Sequence, residues 1–307
     1  MGIFSKATWE QKTDSNVVKN SAQKLLAEYP FLQSYNIGKS ILGKEIPVLI
    51  LGNGHKKFLY VGAHHGMEWI TASLLLRFAD EYCELYRSGG RLEKQWIKFL
   101  WENFQIHIVP LLNPDGVDYA IHGTDSQNPL YERVLKMNGG NEDFSHWQAN
   151  ARGVDLNHNY NAGFDEYKEL ERQNDISFGA PTRYSGESPE SEPEVSALCN
   201  YIRFHLPFGA VLTFHTQGEE LYWKSRGKIV PGSEIAIRKL SLESGYPLNE
   251  AEGLASFGGL TDWCIASCAT PAVTFECGKG QNPLPIKDLF PIYAQLRKTL
   301  FFAPTYF

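Results

Sequence analysis

The sequence predicts an α/β protein, a sheet covered by helices on both faces. Three observations carry this. Short apolar runs rich in Val, Ile, Leu and Phe alternate with longer segments of helical period. No repeat, low-complexity tract or linker rich in Pro, Gly or Ser divides the 307 residues. Hydrophobic residues make up 43% and charged residues 21%, the balance of an ordinary globular chain with a sizeable core.

Taken in order, "EIPVLILG" (45–52) and "KFLYVGAHH" (57–65) read as strands. "EWITASLLLRFADEYCELYRSGG" (68–90) reads as a long helix stopped by Gly89 and Gly90. "FQIHIVPLL" (104–112) is a strand ending at a turn, Asn113-Pro114-Asp115-Gly116. "PEVSALCNYIRFHL" (193–206) is a helix and "GAVLTFHTQG" (209–218) a strand. "GGLTDWCIASC" (258–268) is a short helix, "PAVTFECGKG" (271–280) a strand and "LFPIYAQLRKTLFF" (289–302) a closing helix. The polar, Gly- and Asn-rich stretch 137–187 reads as loops over an active site, because a long irregular segment in a compact domain is usually functional.

Composition excludes several classes. The net charge of -6 provides no basic footprint for nucleic acid. No apolar run approaches the length that spans a bilayer. The opening "MGIFSKATWEQK" lacks the charged start and long apolar core of a signal peptide. Gly2 follows Met1, but Lys6 stands where a myristoylation signal needs Ser or Thr. The five cysteines, Cys83, Cys199, Cys264, Cys268 and Cys277, are odd in number and irregular in spacing, which reads as reduced thiols. A cytoplasmic location is therefore expected. Cys264 and Cys268 stand one helical turn apart, and read better as small apolar residues on a buried helix face than as a metal pair.

Three histidines, His64, His65 and His215, lie at or beside expected strand ends, where open α/β sheets bind ligands. His65 and Glu68 are three residues apart just after a strand, so one turn brings imidazole and carboxylate together. Zn²⁺ accepts both donor types, and a catalytic zinc site keeps three protein ligands with an open position. His215 would be the third ligand. Alone, the His-x-x-Glu spacing also fits a surface pair at a helix start. His64 is either an alternative ligand or a packing residue beneath the site.

The motifs "GAHHGMEW", "NPDG", "NARGVDLNHNY", "TFHTQGE", "GGLTDW" and "VTFE" occur in that order. In order and spacing they resemble the zinc carboxypeptidases of the carboxypeptidase A/B type, over nearly the whole chain. The resemblance implies a single domain over 16–307, with 1–15 as an N-terminal extension. It implies a mixed, mostly parallel twisted sheet with helices on both faces and one Zn²⁺ per chain. His65, Glu68 and His215 match the metal ligands. Glu276 matches the general base that activates the zinc-bound water; within "AVTFEC" an unpaired buried charge would otherwise be costly.

Departures from the family pattern bear on substrate. In the family "GVDxN" continues with an arginine, and the Asn-Arg pair clamps the substrate's terminal carboxylate. Here His158 follows Asn157, and imidazole cannot make arginine's bidentate fork. The transition-state arginine's position is Gln148, with Arg152 nearby as a candidate to act instead. Leu254 stands where the family has a mobile tyrosine, and Thr261 at the base of the specificity pocket. Gln217, in "TFHTQGE", joins Gln148, Asn157, His158 and Thr261 as a candidate substrate-binding residue. The pattern looks most like the bacterial branch that cleaves γ-D-glutamyl-diamino acid bonds of cell-wall peptides. The expected function is a zinc metallopeptidase on a small peptide or muropeptide, with no nucleic-acid or membrane partner. The alternatives are a metallocarboxypeptidase that releases C-terminal residues, with His158 and Arg152 sharing the carboxylate, and a zinc deacylase or esterase on small amides.

Overall fold

The computed structural model describes residues 2–4, 9–176 and 178–307. Lys6, and with it part of the expected N-terminal extension, lies outside them. In chain order the elements are α1 (Ser15–Glu28), β1 (Gln33–Lys39), β2 (Glu45–Leu51), β3 (Lys56–Gly62) and α2 (Ile70–Arg87). A short hairpin, β4 (Arg91–Leu92) and β5 (Gln95–Trp96), leads to α3 (Ile97–Asn103), β6 (Phe104–Val109), α4 (Pro114–His122), α5 (Tyr131–Met137) and α6 (Phe164–Gln173). Then come α7 (Pro193–His205), β7 (Ala210–His215), β8 (Glu220–Tyr222), α8 (Glu234–Ser244), β9 (Leu248–Asn249), α9 (Leu260–Cys268), β10 (Ala272–Glu276) and α10 (Leu289–Phe302).

Eight strands form one sheet in the order β1-β2-β6-β3-β7-β10-β8-β9. The centre, β6-β3-β7-β10, is parallel. The pairs β1-β2, β2-β6 and β10-β8 are antiparallel, and β8-β9 is parallel. The mixed, mostly parallel sheet expected from the motifs is therefore what the chain forms. Alternate side chains of a strand point to opposite faces, and here both faces are apolar. Phe58, Tyr60, Leu212, Phe214, Val273 and Phe275 pack in one cluster with Leu75 and Phe78 of α2 and Leu296 and Leu300 of α10. Leu59, Val61, Val211 and Ala272 pack in the other with Leu198 of α7 and Cys264 of α9. Burial on both faces explains why these strands read as near-continuous apolar runs.

Two local expectations are corrected. Asn113-Pro114-Asp115-Gly116 is not a turn: Asn113 caps α4, its side-chain oxygen accepting from the Gly116 N–H at 2.9 Å, with Pro114 in the first helical turn. The stretch 137–187 is not wholly irregular, since it contains α6. That helix is mostly polar, with Asp165 and Glu166 in its first turn and ion pairs Lys168–Glu171 and Arg172–Glu169 three residues apart. Its polarity hides the helical period of Phe164, Tyr167 and Glu171, which face inward. All five cysteines are free thiols. No helix of the described residues is long and apolar enough to cross a membrane.

Candidate active site

The site forms where three adjacent parallel strands end. His65 follows β3 by three residues, His215 is the last residue of β7, and Glu276, the last of β10, stands opposite His215 in register. A one-turn 3₁₀ helix, Gly66–Glu68, carries Glu68 back beneath His65. Gly66 is required there for space. A Cβ on it would lie 2.3 Å from the Gly116 carbonyl oxygen and 2.7 Å from that of Trp147, and its N–H donates to the Gln148 carbonyl at 2.9 Å. The glycine thus lets the His65–Glu68 turn press onto α4 and the loop that carries Gln148.

His65 Nδ1 lies 2.9 Å from Glu68 Oε1, His215 Nδ1 lies 3.0 Å from Glu68 Oε2, and the two Nδ1 atoms are 3.4 Å apart. Among the described residues these three side chains form the one group of histidine, cysteine and acidic residues able to hold a metal ion. The donor set fits zinc. Ligand atoms about 2.0–2.1 Å from a tetrahedral Zn²⁺ stand about 3.4 Å from each other, the separation of the two histidine nitrogens. Tautomer chemistry agrees. His65 Nε2–H donates to Asp155 Oδ1 at 3.1 Å; in the neutral ring this leaves Nδ1 a lone pair aimed at a carboxylate. Two acceptors in such contact need a cation between or on them. With a metal on His65, Asp155 would be the outer partner that fixes the ring, as in carboxylate–histidine–metal arrangements.

The electrostatics show the same demand for positive charge. Burial disfavours a charged His65 ring, yet the Glu68 and Asp155 carboxylates raise its pKa well above the ordinary value. Burial likewise disfavours the Asp155 anion, but the His65 and His158 rings and the Arg183 N–H hold its carboxyl well below the usual range. Glu276 goes the other way: burial and the nearby Glu68 charge push its carboxyl well up, with His65 opposing. A carboxyl so placed holds a proton more tightly than an exposed one, which suits a group that takes up and returns a proton.

His64 is turned away from the metal-ligand set. It is fully buried, its Nε2 2.9 Å from the Tyr160 hydroxyl, and its ring stacks on that of His215 at 5.1 Å. Burial, then the two neighbouring imidazoles, hold it neutral. It packs beneath the site.

Beside the triad lies a cleft of about 240 Å³ lined by His65, Gln148, Asn157, His158, Leu254, Thr261 and Glu276, which gathers most of the residues singled out from the sequence. Asn157 accepts the Leu260 N–H at 3.1 Å. The Thr261 hydroxyl pairs with that of Thr274 at 2.8 Å. Gln148 Oε1 accepts from the Thr182 hydroxyl. His158 stacks on Tyr167, with centroids 3.9 Å apart and planes 9° apart, and its Nδ1–H donates to the Phe257 carbonyl at 2.8 Å. Burial lowers its pKa, against the pull of Asp155, so at neutral pH it offers the cleft no charged fork. Two candidates are not lining residues. Gln217 is exposed beyond the end of β7. Arg152 donates through Nε to Glu192 at 3.1 Å and through Nη2 to the Ser191 carbonyl at 3.3 Å, on a side of the loop away from the cleft lining.

The cleft also holds residues that sequence reasoning missed: Asp155, Arg183, Tyr222, Lys224 and Asp262. Asp155 had a signal, standing within "GVDLNH" two residues before Asn157. Arg183 and Lys224 had none, because they reach the cleft from the loop after α6 and the segment after β8. A larger cavity of about 460 Å³ lies between α1 and the β1–β2 edge; none of its lining residues belongs to the candidate metal-binding triad.

Comparison with known proteins agrees with this geometry. Residues 18–299 match the zinc carboxypeptidase family model. The chain is 34% identical over 287 residues to γ-D-glutamyl-L-diamino acid endopeptidase 1 of Lysinibacillus sphaericus, covering 93% of this chain and 70% of that protein. It is 26% identical to bovine carboxypeptidase B, covering 88% of this chain and 63% of that protein. Among solved structures, thrombin activatable fibrinolysis inhibitor superposes with a TM-score of 0.75 over 98% of this chain and 76% of that one, at 18% identity, and shares the fold. The chain belongs to the zinc carboxypeptidase family and is a zinc metallopeptidase.

Proposed function

We propose that the chain hydrolyses the γ-D-glutamyl–diamino acid bond of small cell-wall peptides. The carrying observation is His158. It stands where the resemblance puts the carboxylate-clamping arginine, and it is buried, stacked on Tyr167 and committed through Nδ1–H to a backbone carbonyl. An ordinary carboxypeptidase needs a strong grip on a terminal carboxylate there; a peptidase that cuts inside a γ-linked peptide does not. The 34% relative that cuts such bonds supports the same reading.

In this reading His65, Glu68 and His215 hold one zinc ion, with Asp155 orienting His65. Zinc, when bound, polarises the scissile carbonyl and lowers the pKa of a coordinated water to roughly 7. Glu276 takes the proton of the attacking water and returns it to the leaving amine. Asn157, Thr261, Gln148 and Thr182 line the cleft and would border the bound peptide. No charged anchor is built at position 158, so the cleft accepts a peptide that continues past the cut bond.

The test is product identity by mass spectrometry. The zinc-loaded protein is incubated with muropeptide fragments and, separately, with ordinary peptides of similar length. Cleavage at the γ-glutamyl bond, with ordinary peptides left intact, is the expected result. Stepwise loss of single C-terminal residues from ordinary peptides would replace this reading with the carboxypeptidase one, and cleavage confined to N-acyl amino acids would replace it with the deacylase one.

A further inference from the structure

Among the described residues that line the cleft, one cation has a charged group that no protein acceptor holds. Lys224 Nζ is paired with Glu250, and the His158 ring N–H goes to a carbonyl. Arg183 lines the cleft and is exposed, and among the described residues no carboxylate or carbonyl takes a hydrogen bond from its guanidinium. Its backbone, by contrast, is held firmly. The N–H donates to Asp155 Oδ2 at 3.1 Å, and the carbonyl accepts from the Tyr167 hydroxyl at 3.2 Å. Its φ of 66° lies in the left-handed region, which residues with a side chain adopt rarely and mostly where surroundings impose it.

Both anchors are informative. Asp155 is the carboxylate that orients His65 through its other oxygen. Tyr167 is the ring on which His158 stacks. The preceding residue, Thr182, donates to Gln148. Arg183 therefore lines the same cleft as His65 and as the two positions, 148 and 158, at which the resemblance leads one to expect arginines and this chain has none. A guanidinium is the side chain best matched to a planar carboxylate.

We propose that Arg183 binds a free carboxylate that the substrate carries beside the scissile amide, and so sets the enzyme's preference for acidic substrates. This rests on the reading of the cleft as an amide-hydrolysing site. In a γ-linked glutamyl–diamino acid peptide the glutamyl α-carboxylate stands free beside the bond, and that of the diamino acid does so as well where the peptide ends there. The cation-facing chemistry is the same for both.

The experiment uses the zinc-loaded full chain, one γ-linked peptide, and two versions of it in which one or the other carboxylate is a carboxamide. A charge-assisted hydrogen bond to the acid should make the wild type prefer it over one of the two amides by about ten- to a hundredfold in kcat/KM. Arg183→Gln should bring that preference close to unity, mainly through KM, and Arg183→Lys should retain part of it. The amide that shows the effect identifies the carboxylate. A preference unchanged in Arg183→Gln overturns the proposal, as does an equal fall in kcat for acid and amides. If no peptide is cleaved, the functional reading fails on its own. The same acid and amides are then titrated calorimetrically into zinc-loaded Glu276→Gln with and without Arg183→Gln. Loss of discrimination with the second change sustains the role of Arg183, and unchanged discrimination ends it. Circular dichroism and zinc content, expected at wild-type values for Arg183→Gln, separate these outcomes from misfolding.

Discussion

Asp155 Oδ1 accepts the Nε2–H of His65 at 3.1 Å, on the side of the imidazole opposite Glu68. One carboxylate thereby decides which nitrogen of His65 is free to bind a metal. Its second oxygen takes the Arg183 N–H, so the loop after α6 and the His65–Glu68 turn share a single anchor. Asp155→Ala should weaken zinc binding about 10–100-fold, the usual cost of losing such an outer partner. Competition with a chromogenic chelator measures this; unchanged affinity would detach Asp155 from the site.

The metal itself makes a sharper prediction. Purified protein should contain roughly one zinc per chain by elemental analysis, and His65→Ala or His215→Ala should lose most of it, because three ligands are the working set of a catalytic zinc site. Full zinc retention in both variants would mean that the triad is not the metal site.

Glu276→Gln keeps shape and removes basicity. Turnover should fall by about two to four orders of magnitude, with zinc content near wild type, since Glu276 is outside the ligand set. Near-normal turnover would move the base elsewhere. Glu219 is then poorly placed to replace it, being paired with Lys279 at 2.7 Å.

His158→Arg bears on substrate choice. An arginine can lie on Tyr167 as the imidazole does, and it restores the family's Asn-Arg pair beside Asn157. The specificity constant for an ordinary C-terminal dipeptide, relative to a γ-D-glutamyl–diamino acid peptide, should rise about ten- to a hundredfold. A ratio that stays level would show that position 158 does not govern the choice.

Much of this was readable from residues alone, for a physical reason. Strands buried on both faces must be apolar along their length, so β2, β3, β6, β7 and β10 stand out. Polar groups at their ends, His65, His215 and Glu276, stand out by contrast. Elements that are polar or short did not: α6 hides its period behind charges, and β8 and β9 are only three and two residues long. Which arginine serves the cleft was also illegible. Arg152 and Arg183 are both near the motif in space, and only the fold shows that Arg152 is tied to Glu192 while Arg183 lines the cleft.

Away from the site, Glu194 in the first turn of α7 is fully buried, accepting from the Ile41 N–H at 3.2 Å. Burial, with the Glu192 and Asp115 charges, raises its pKa from 4.5 to about 8. The folded state then keeps a proton that the unfolded chain releases. Stability from this group is full below about pH 4.5 and is lost as pH rises toward about 8, by on the order of a few kcal/mol. Glu194→Gln removes the titration and should flatten that part of the decline in thermal midpoint between pH 5 and 8. Parallel curves for wild type and variant would contradict it.

The central claim is that the cleft beside His65, Glu68 and His215 cuts the γ-glutamyl link with Glu276 as base. Its most direct test is hydrolysis of a γ-D-glutamyl–diamino acid peptide in heavy-oxygen water, followed by mass spectrometry of the fragments. The account predicts that the zinc-loaded wild type places the label on the γ-carboxylate of the glutamyl fragment and frees an unlabelled diamino fragment. It predicts almost no label in Glu276→Gln over the same time. Label found instead on a carboxylate newly exposed by removal of a C-terminal residue, with the γ-linked bond intact, would contradict it.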